Sequence, residues 1–115
     1  METHWNVWDY VREDAEDVSS RFGVSWNTYR THGSLSGHSE HQTVDFWGGS
    51  RGMTLDEHVG DAVTAWLLGQ HQVTPLHMLI WWSWWWRPGI GWQPYPGWAG
   101  PHGPGPDAHI HVVYQ

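Results

Sequence analysis

The chain has 115 residues, enough for one hydrophobic core and too few for two, so we expect a single domain spanning residues 1–115. Twelve acidic residues oppose five basic ones, and the resulting formal charge of −7 leads us to expect no nucleic-acid partner. Cysteine is absent, so any bound metal would need nitrogen and oxygen ligands.

The N-terminal half of the sequence predicts a helix followed by two strands. Apolar residues recur at spacings of three and four, which predicts a helix over 4–22 with Thr3 as its N-cap and Gly23 just after its end. "VSWNTYR" (24–30) and "TVDFW" (43–47) follow as strands, separated by a polar loop.

The C-terminal half predicts a second helix and further strands. The "TLDE" capping box at Thr54 begins a helix over 54–69. "LHMLIWW" (76–82) is a buried strand, and the following "WWWRPG" either extends it or begins a hairpin arm. The proline-rich stretch 88–106 is predicted to be too irregular for a strand ladder, and 108–114 is the last strand. This order predicts an α+β fold, with a mainly antiparallel sheet and two helices on one face.

No segment predicts a membrane span or a secretory signal. The most apolar run, "MLIWWSWWW" (78–86), has nine residues, about half of the roughly 20 that a spanning helix needs. The N-terminal stretch lacks a basic region followed by an apolar one, so we expect synthesis in the cytoplasm without a signal peptide.

Two of the predicted strands carry metal-competent side chains on one face. Alternate residues of a strand share a face, so His109 and His111 lie opposite the apolar Ile110 and Val112. Asp45 is likewise set apart from the apolar residues on either side of it. If the strands are neighbours, Asp45 and His111 meet.

These residues predict a metal site together with a loop histidine. His38 precedes Asp45 by seven residues, and Gly37 gives the loop freedom to fold back. His38, Asp45 and His111, with a fourth position open to water, form the ligand set of a catalytic zinc centre. The alternative is chance, because ten histidines and twelve carboxylates produce about one such spacing at random.

The stretches around these residues resemble a known family. "NTYRTHG", "SGHSEHQTVDFW", "LIWWSWWWRPGIGW" and "DAHIHVVY" are similar to zinc peptidoglycan peptidases of the D-Ala-D-Ala carboxypeptidase type, most closely to actinobacterial and phage members. Those members carry Ser-x-His-x-x-Gly-x-Ala-x-Asp, an Ile-Trp strand with a Pro-Gly turn, and Asp-His-x-His. Their group also contains lysostaphin-like peptidases and the hedgehog signalling domain. The resemblance covers residues 20–114.

The resemblance implies roles for individual residues. It makes His38, Asp45 and His111 the zinc ligands and places His109 where members keep an active-site histidine. Arg30 falls at the arginine that holds the substrate's carboxylate or carbonyl. The substrate-contacting serine of the motif corresponds to Ser36.

The sequence departs from the family pattern at two places. His41 and Thr43 replace the glycine and alanine of the motif, so the loop between the ligands is bulkier. Ala108 stands where some members carry the catalytic glutamate. The role of base then falls to His109, or less plausibly to Asp107 or Glu40, while Asp107 would otherwise orient His109 or cap a turn. His41 could itself be a fourth ligand, although a solvated loop histidine is the simpler interpretation.

Twelve tryptophans are many for this length. Trp5, Trp8 and Trp66 fall on the predicted helix stripes, where core packing is the default explanation. In "WWSWWW" both faces of a strand carry indoles, so one set is exposed or covers a groove. We expect Trp84 and Trp86 to contact a glycan or peptide substrate, and a hydrophobic lid or partner interface is an equal alternative.

Two hypotheses follow. The first is a zinc-dependent carboxypeptidase or endopeptidase that hydrolyses peptidoglycan stem peptides, acting at the cell wall after phage-type release or as part of a virion. The second is a catalytically inactive, zinc-bearing binding or virion structural module of the same fold. The missing glutamate and the bulky His41 favour the second hypothesis. His109 and Arg30 favour the first, which we prefer. The oligomeric state stays open.

Overall fold

The computed structural model describes residues 8–28, 43–49, 53–96 and 108–115. The fold is α+β, with two helices and a six-stranded antiparallel sheet, which confirms the predicted fold class at this level. In chain order the elements are α1 (Asp9–Phe22), β1 (Val24–Asn27), β2 (Thr43–Gly48), α2 (Glu57–Gly69), β3 (Leu76–Trp81), β4 (Trp84–Arg87), β5 (Gly91–Pro94) and β6 (Ile110–Tyr114).

Helix α1 begins later than the sequence pattern predicts and ends where predicted. Trp8 is the N-cap in an extended conformation and is 44% exposed, so its predicted place on the core stripe is wrong. The predicted cap Thr3 and the stripe residue Trp5 lie outside the described residues. At the other end, Gly23 adopts φ 67 and its N–H bonds to the Ser19 carbonyl, the left-handed ending that glycine favours.

Helix α2 is capped by Asp56 and not by the predicted Thr54. The Asp56 carboxylate accepts the backbone N–H groups two and three residues later, at 3.0 and 3.2 Å. Just before it, the N–H of Leu55 donates to the Ala108 carbonyl at 2.9 Å. This contact ties the segment to the chain leading into β6, so the helix starts only after it.

The strand order of the sheet is β1-β2-β6-β3-β4-β5. The last strand of the chain therefore lies in the middle, between β2 and β3, and is antiparallel to both. This arrangement makes neighbours of β2 and β6, the two strands on which the sequence places its metal-competent residues.

The tryptophan-rich segment forms a meander at one side of the sheet. Trp82 and Ser83 both have positive φ, 56 and 65, and join β3 to β4 as a tight hairpin, so the hairpin alternative is the one adopted. Strand β5 pairs with β4 within the stretch predicted to be irregular, and that prediction is wrong for residues 91–94. Pro94 is tolerated because it ends an edge strand, where a missing N–H breaks few ladder bonds.

Both helices contribute to the apolar core on one face of the sheet. Residues of α1 and α2 pack there with alternate residues of the strands, and the buried cluster includes Val11, Val18, Val44, Phe46, Val63, Leu67, Leu79, Trp81, Ile110, Val112 and Tyr114. The indole of Trp81 lies against Gly60 of α2, where any Cβ would collide with the ring, and its Nε1 donates to Asp61 at 2.9 Å. Neither described helix has the length and apolarity needed to cross a bilayer.

Candidate functional site

The register of the sheet aligns a row of residues across four strands. Asn27 is paired with Asp45, Asp45 with His111, and His111 with Ile80. Directly paired residues of antiparallel strands point to the same face, so these side chains lie side by side. Their face is opposite to the one that carries Val44, Phe46 and the core. The predicted meeting of Asp45 and His111 is therefore observed.

The Asp45 carboxylate contacts two imidazoles, one on each oxygen. His111 Nδ1 lies 3.0 Å from Oδ1, within hydrogen-bonding distance. His109 Nε2 lies 3.4 Å from Oδ2. A single carboxylate thus joins both histidines of the His-x-His pair. We call Asp45, His109 and His111 the His–Asp–His cluster.

Asp45 and His109 are buried although they are polar, and His111 is partly exposed. Asp45 is 2% exposed and His109 is 3% exposed. Burial alone raises the pKa of Asp45, but hydrogen bonds from His109 and His111 and their charges outweigh this effect and hold the pKa well below its ordinary value of 3.8. Asp45 is therefore ionised at neutral pH, as a metal ligand or an orienting carboxylate must be.

An aromatic side chain fixes one side of the cluster. The Trp47 indole stacks on the His109 imidazole, with ring centroids 3.9 Å apart and planes 20° from parallel. Trp47 Nε1 in turn donates a hydrogen bond to Asn27 Oδ1 at 2.5 Å. Strand alternation places Trp47 on the Asp45 face, but it predicts neither the stack with His109 nor the role of Asn27. Both depend on three strands coming together.

Two donor atoms of the cluster, on Asp45 and His111, are of the types that zinc accepts and lie close together. Zinc bonds of about 2.0–2.2 Å in a tetrahedron put neighbouring ligand atoms about 3.3–3.6 Å apart. The Asp45–His111 separation of 3.0 Å is within a few tenths of an ångström of this spacing, and both donors are types that zinc accepts. Within residues 8–28, 43–49, 53–96 and 108–115, no group of three or more potential ligands is arranged to hold a metal ion. The proposed third ligand, His38, lies outside those ranges.

Several predicted site residues lie outside the described part of the chain. These are Arg30, Ser36, His38 and Asp107, together with the alternatives Glu40 and His41. Ala108, at the position of the family glutamate, is described. It is 1% exposed and belongs to the apolar core, so it brings no acid to the cluster.

The predicted substrate-binding tryptophans are not brought together with the cluster. The register pairs Trp81 with Trp84, so Trp84 and Trp86 share the helix-bearing face with Trp81. Trp85 instead pairs with Ile80 and continues the row of His111. On the cluster's face, Trp85 is therefore the indole that the alternation of "WWSWWW" offers.

Trp85 sits in a small group at the edge of the cluster's face. The Arg87 guanidinium lies 3.8 Å from the centre of the Trp85 ring, and an Arg87 nitrogen donates to Gln93 at 2.8 Å. The Tyr95 ring meets Trp85 edge-on, with centroids 5.5 Å apart. The group combines two aromatic rings with one cation. It lies on the same face as the cluster, in the row that runs from His111 through Ile80 to Trp85.

Two buried hydroxyls on the same face lack hydrogen-bond partners within the described part of the chain. Thr43 Oγ1 and Ser25 Oγ are both inaccessible to solvent and unpaired in the structure as described. Thr43 is two residues before Asp45, and Ser25 is paired with Trp47. A buried unpaired hydroxyl costs stability, and such groups commonly mark a site where water or a ligand binds.

No protein-family model, curated protein or solved structure matches the chain. What the site does must therefore be inferred from its geometry and from the sequence motifs.

Proposed function

We propose that this protein is a zinc-dependent peptidase that hydrolyses peptide bonds in peptidoglycan stem peptides. One observation carries the proposal: a buried, ionised Asp45 joins His109 and His111 on the face of the sheet that neither described helix covers. The sequence resemblance supplies the substrate class. The place of action, at the cell wall after phage-type release or within a virion, belongs to the same proposal.

Zinc would be held by Asp45 and His111 together with His38. Bound zinc would supply Lewis-acid chemistry, polarising the scissile carbonyl and acidifying water at neutral pH. Asp45 contributes negative charge to this ligand set, which the buried environment does not screen.

His109 is the proposed general base and acid. When its Nε2–H donates to Asp45 Oδ2, the imidazole is held in the tautomer that keeps its lone pair on Nδ1. Nδ1 would then accept a proton from the attacking water and return it to the leaving amine. Ala108 has no group that could act as an acid or base, so we assign this role to its neighbour His109.

The remaining proposed residues act on the substrate. Arg30 would bind a carboxylate of the stem peptide through paired hydrogen bonds and so select the bond that is cut. Ser36 would contact the same peptide, and Asp107 would orient His109. On the cluster's face, Trp85 replaces Trp84 and Trp86 as the tryptophan proposed to contact substrate.

Two specific observations favour a second function. A buried alanine, Ala108, stands at the position of the family glutamate. The contacts of Asp45 with His109 and His111 also hold the His–Asp–His cluster together without a ligand. Both features suit a binding or virion structural module that retains the fold without turnover. Two measurements, of metal content and of activity, separate the two proposals.

Metal content provides the first test. We expect about one zinc per chain in protein purified without chelator, and we expect His38→Ala, Asp45→Ala and His111→Ala to reduce it strongly. His58→Ala, at an exposed position of α2, is the matched control and should leave the zinc content unchanged. An undiminished zinc content in the His38 and His111 variants would remove this ligand set.

Activity provides the second test, measured as new amino groups released from purified peptidoglycan and from stem peptides, with and without chelator. We expect His109→Ala to keep zinc and to lose on the order of 10²-fold in rate, the usual scale for a positioned acid or base. Arg30→Ala should chiefly raise KM. A zinc-loaded wild type that releases no amino groups from any wall type would favour the binding module.

A further inference from the structure

We propose that Trp47 is a positioning residue for His109 and that Asn27 holds Trp47 in place. This inference rests on the proposed function, because it assigns a task to residues around the proposed base. It goes beyond that function in giving roles to two residues, on two strands, to which the resemblance assigns none.

The contacts form a continuous series from β1 to the segment before β6. Asn27 Oδ1 accepts the Trp47 Nε1 hydrogen at 2.5 Å, the Trp47 indole stacks on His109 at 3.9 Å, and His109 Nε2 faces Asp45 Oδ2 at 3.4 Å. Asn27 is also the direct register partner of Asp45. The Asn27 amide and the Asp45 carboxylate therefore lie side by side, so the first and last residues of the series are neighbours on β1 and β2.

Stacking and hydrogen bonding restrain different motions of the His109 ring. The contact with Asp45 sets the direction of Nε2 but restrains rotation of the ring about its Cβ–Cγ bond at that one atom only. A parallel indole against the ring face removes that rotation, because turning the imidazole would drive its edge into the indole. Together the two contacts define where Nδ1 lies, which a base needs in order to meet its proton.

Core packing does not account for Trp47. It lies on the cluster's face, outside the apolar core between sheet and helices, and it is only partly buried. Asn27 is 1% exposed, and a buried amide is expensive unless its polar atoms are bonded. We therefore explain the Asn27–Trp47 pair by its contact with His109 and not by a contribution to stability.

A double-mutant cycle on the full-length chain tests the series. Trp47→Phe keeps an aromatic ring but loses the N–H donor. Asn27→Ala loses the Oδ1 acceptor of the same hydrogen bond. If Asn27 acts through Trp47, either substitution should have the same effect, and the double variant should be little worse than either single one. Trp47→Leu removes the ring as well and should have the largest effect.

The first readout is the NMR signals of the His109 ring protons, assigned by their loss in His109→Gln. We expect an upfield ring-current shift in the wild type, reduced in Trp47→Phe and Asn27→Ala and abolished in Trp47→Leu. Trp86→Leu is the matched control, because Trp86 contacts His71 with centroids 5.1 Å apart and should shift that histidine alone. Unchanged His109 signals in Trp47→Leu would overturn the proposal.

The second readout is the split between kcat and KM on stem peptides at equal zinc content. We expect Trp47→Leu to lower kcat by about 10- to 100-fold with little change in KM, the scale expected for a misplaced catalytic group. Shifted His109 signals with an unchanged kcat would overturn the positioning role while leaving the peptidase intact. Should the wild type lack activity, the peptidase proposal fails, and the ring shifts alone decide whether Asn27 and Trp47 fix His109.

Discussion

The two faces of strands β2 and β6 are both largely hidden from water but chemically opposite. One face carries the apolar side chains Val44, Phe46, Ile110 and Val112, all fully buried against the helices. The other carries Thr43, Asp45, His109 and His111, of which the first three are at most 3% exposed. Burial is therefore a poor guide to role in this sheet, and the chemistry of the buried group separates the structural face from the candidate site.

The two faces are also stabilised differently. The helix face gains free energy from apolar area removed from water, a contribution that depends little on exact geometry. On the cluster's face, each polar group is stable only while its neighbours satisfy it, so the arrangement is cooperative and sensitive to the loss of one member. The following substitutions test that difference, in order of decreasing expected effect.

Phe46→Ala tests the helix face. Phe46 is fully buried in the core, so removing its ring should lower the free energy of unfolding by about 3–5 kcal/mol. Denaturant unfolding measures this loss. Val73→Ala, at a side chain that is 79% exposed, serves as control and should change stability by less than about 0.5 kcal/mol. A loss below about 1 kcal/mol for Phe46→Ala would show that this face is not the core.

Asp45→Ala tests the cluster's face. Whether it lowers or raises the free energy of unfolding should depend on the neighbouring histidines. In the wild-type background with chelator present, we expect a loss of about 2–3 kcal/mol because the buried His109 and the partly buried His111 lose their shared acceptor.

In a background that already carries His109→Ala and His111→Ala, the same change should be neutral or stabilising, since it then removes an unpaired buried charge. Denaturant unfolding of the four proteins completes the comparison. Equal losses in both backgrounds would show that the three groups do not act as a unit.

Asp14→Asn probes a polar contact on the helix side. Burial raises the pKa of Asp14 above its ordinary value of 3.8; the hydrogen bond that Tyr114 donates at 2.6 Å lowers it by less, and repulsion from Asp17 raises it further. The folded state therefore binds this proton more readily than the unfolded state, so Asp14 costs stability as pH rises above 3.8 and costs none well below it.

The amide introduced by Asp14→Asn can still accept from Tyr114 but is never charged. We expect the variant to be more stable than the wild type at pH 7 by up to about 1 kcal/mol, and the difference to vanish near pH 3. Thermal or denaturant unfolding across this pH range measures it. A variant that is less stable than the wild type at pH 7, and whose relative stability improves as the pH falls, would contradict a raised pKa of Asp14.

Thr43→Val should have the smallest effect of the four. The buried Thr43 hydroxyl has no hydrogen-bond partner among the described residues, so replacing it with a methyl of similar shape should leave stability within about 0.5 kcal/mol or raise it slightly. Unfolding and peptidase assays of the same protein decide its role. A clear loss of stability would mean that the hydroxyl is bonded after all, whereas a raised KM at unchanged stability would assign it to substrate.

The alternation of residues along β2 and β6 determined much of the site in advance. A strand's period of two sets Asp45 apart from Val44 and Phe46 regardless of what surrounds it, and the same holds for His111 between Ile110 and Val112. The end of α1 at Gly23 was equally predictable, because a left-handed residue there favours glycine locally. Local steric rules of this kind act within a few residues, so the sequence expresses them directly.

Tertiary structure decided what depends on distant partners. The start of α2 moved from Thr54 to Asp56, where the chain is tied to Ala108, a residue more than fifty positions away. The edge strand β5 exists because β4 offers it a ladder, although its own composition predicts a loop.

The neighbouring positions of β2 and β6, and the stack of Trp47 on His109, follow from strand order and register. Period-two alternation assigned faces within each strand, but only long-range pairing could bring Asn27, Trp47 and His109 from separate parts of the chain to one place.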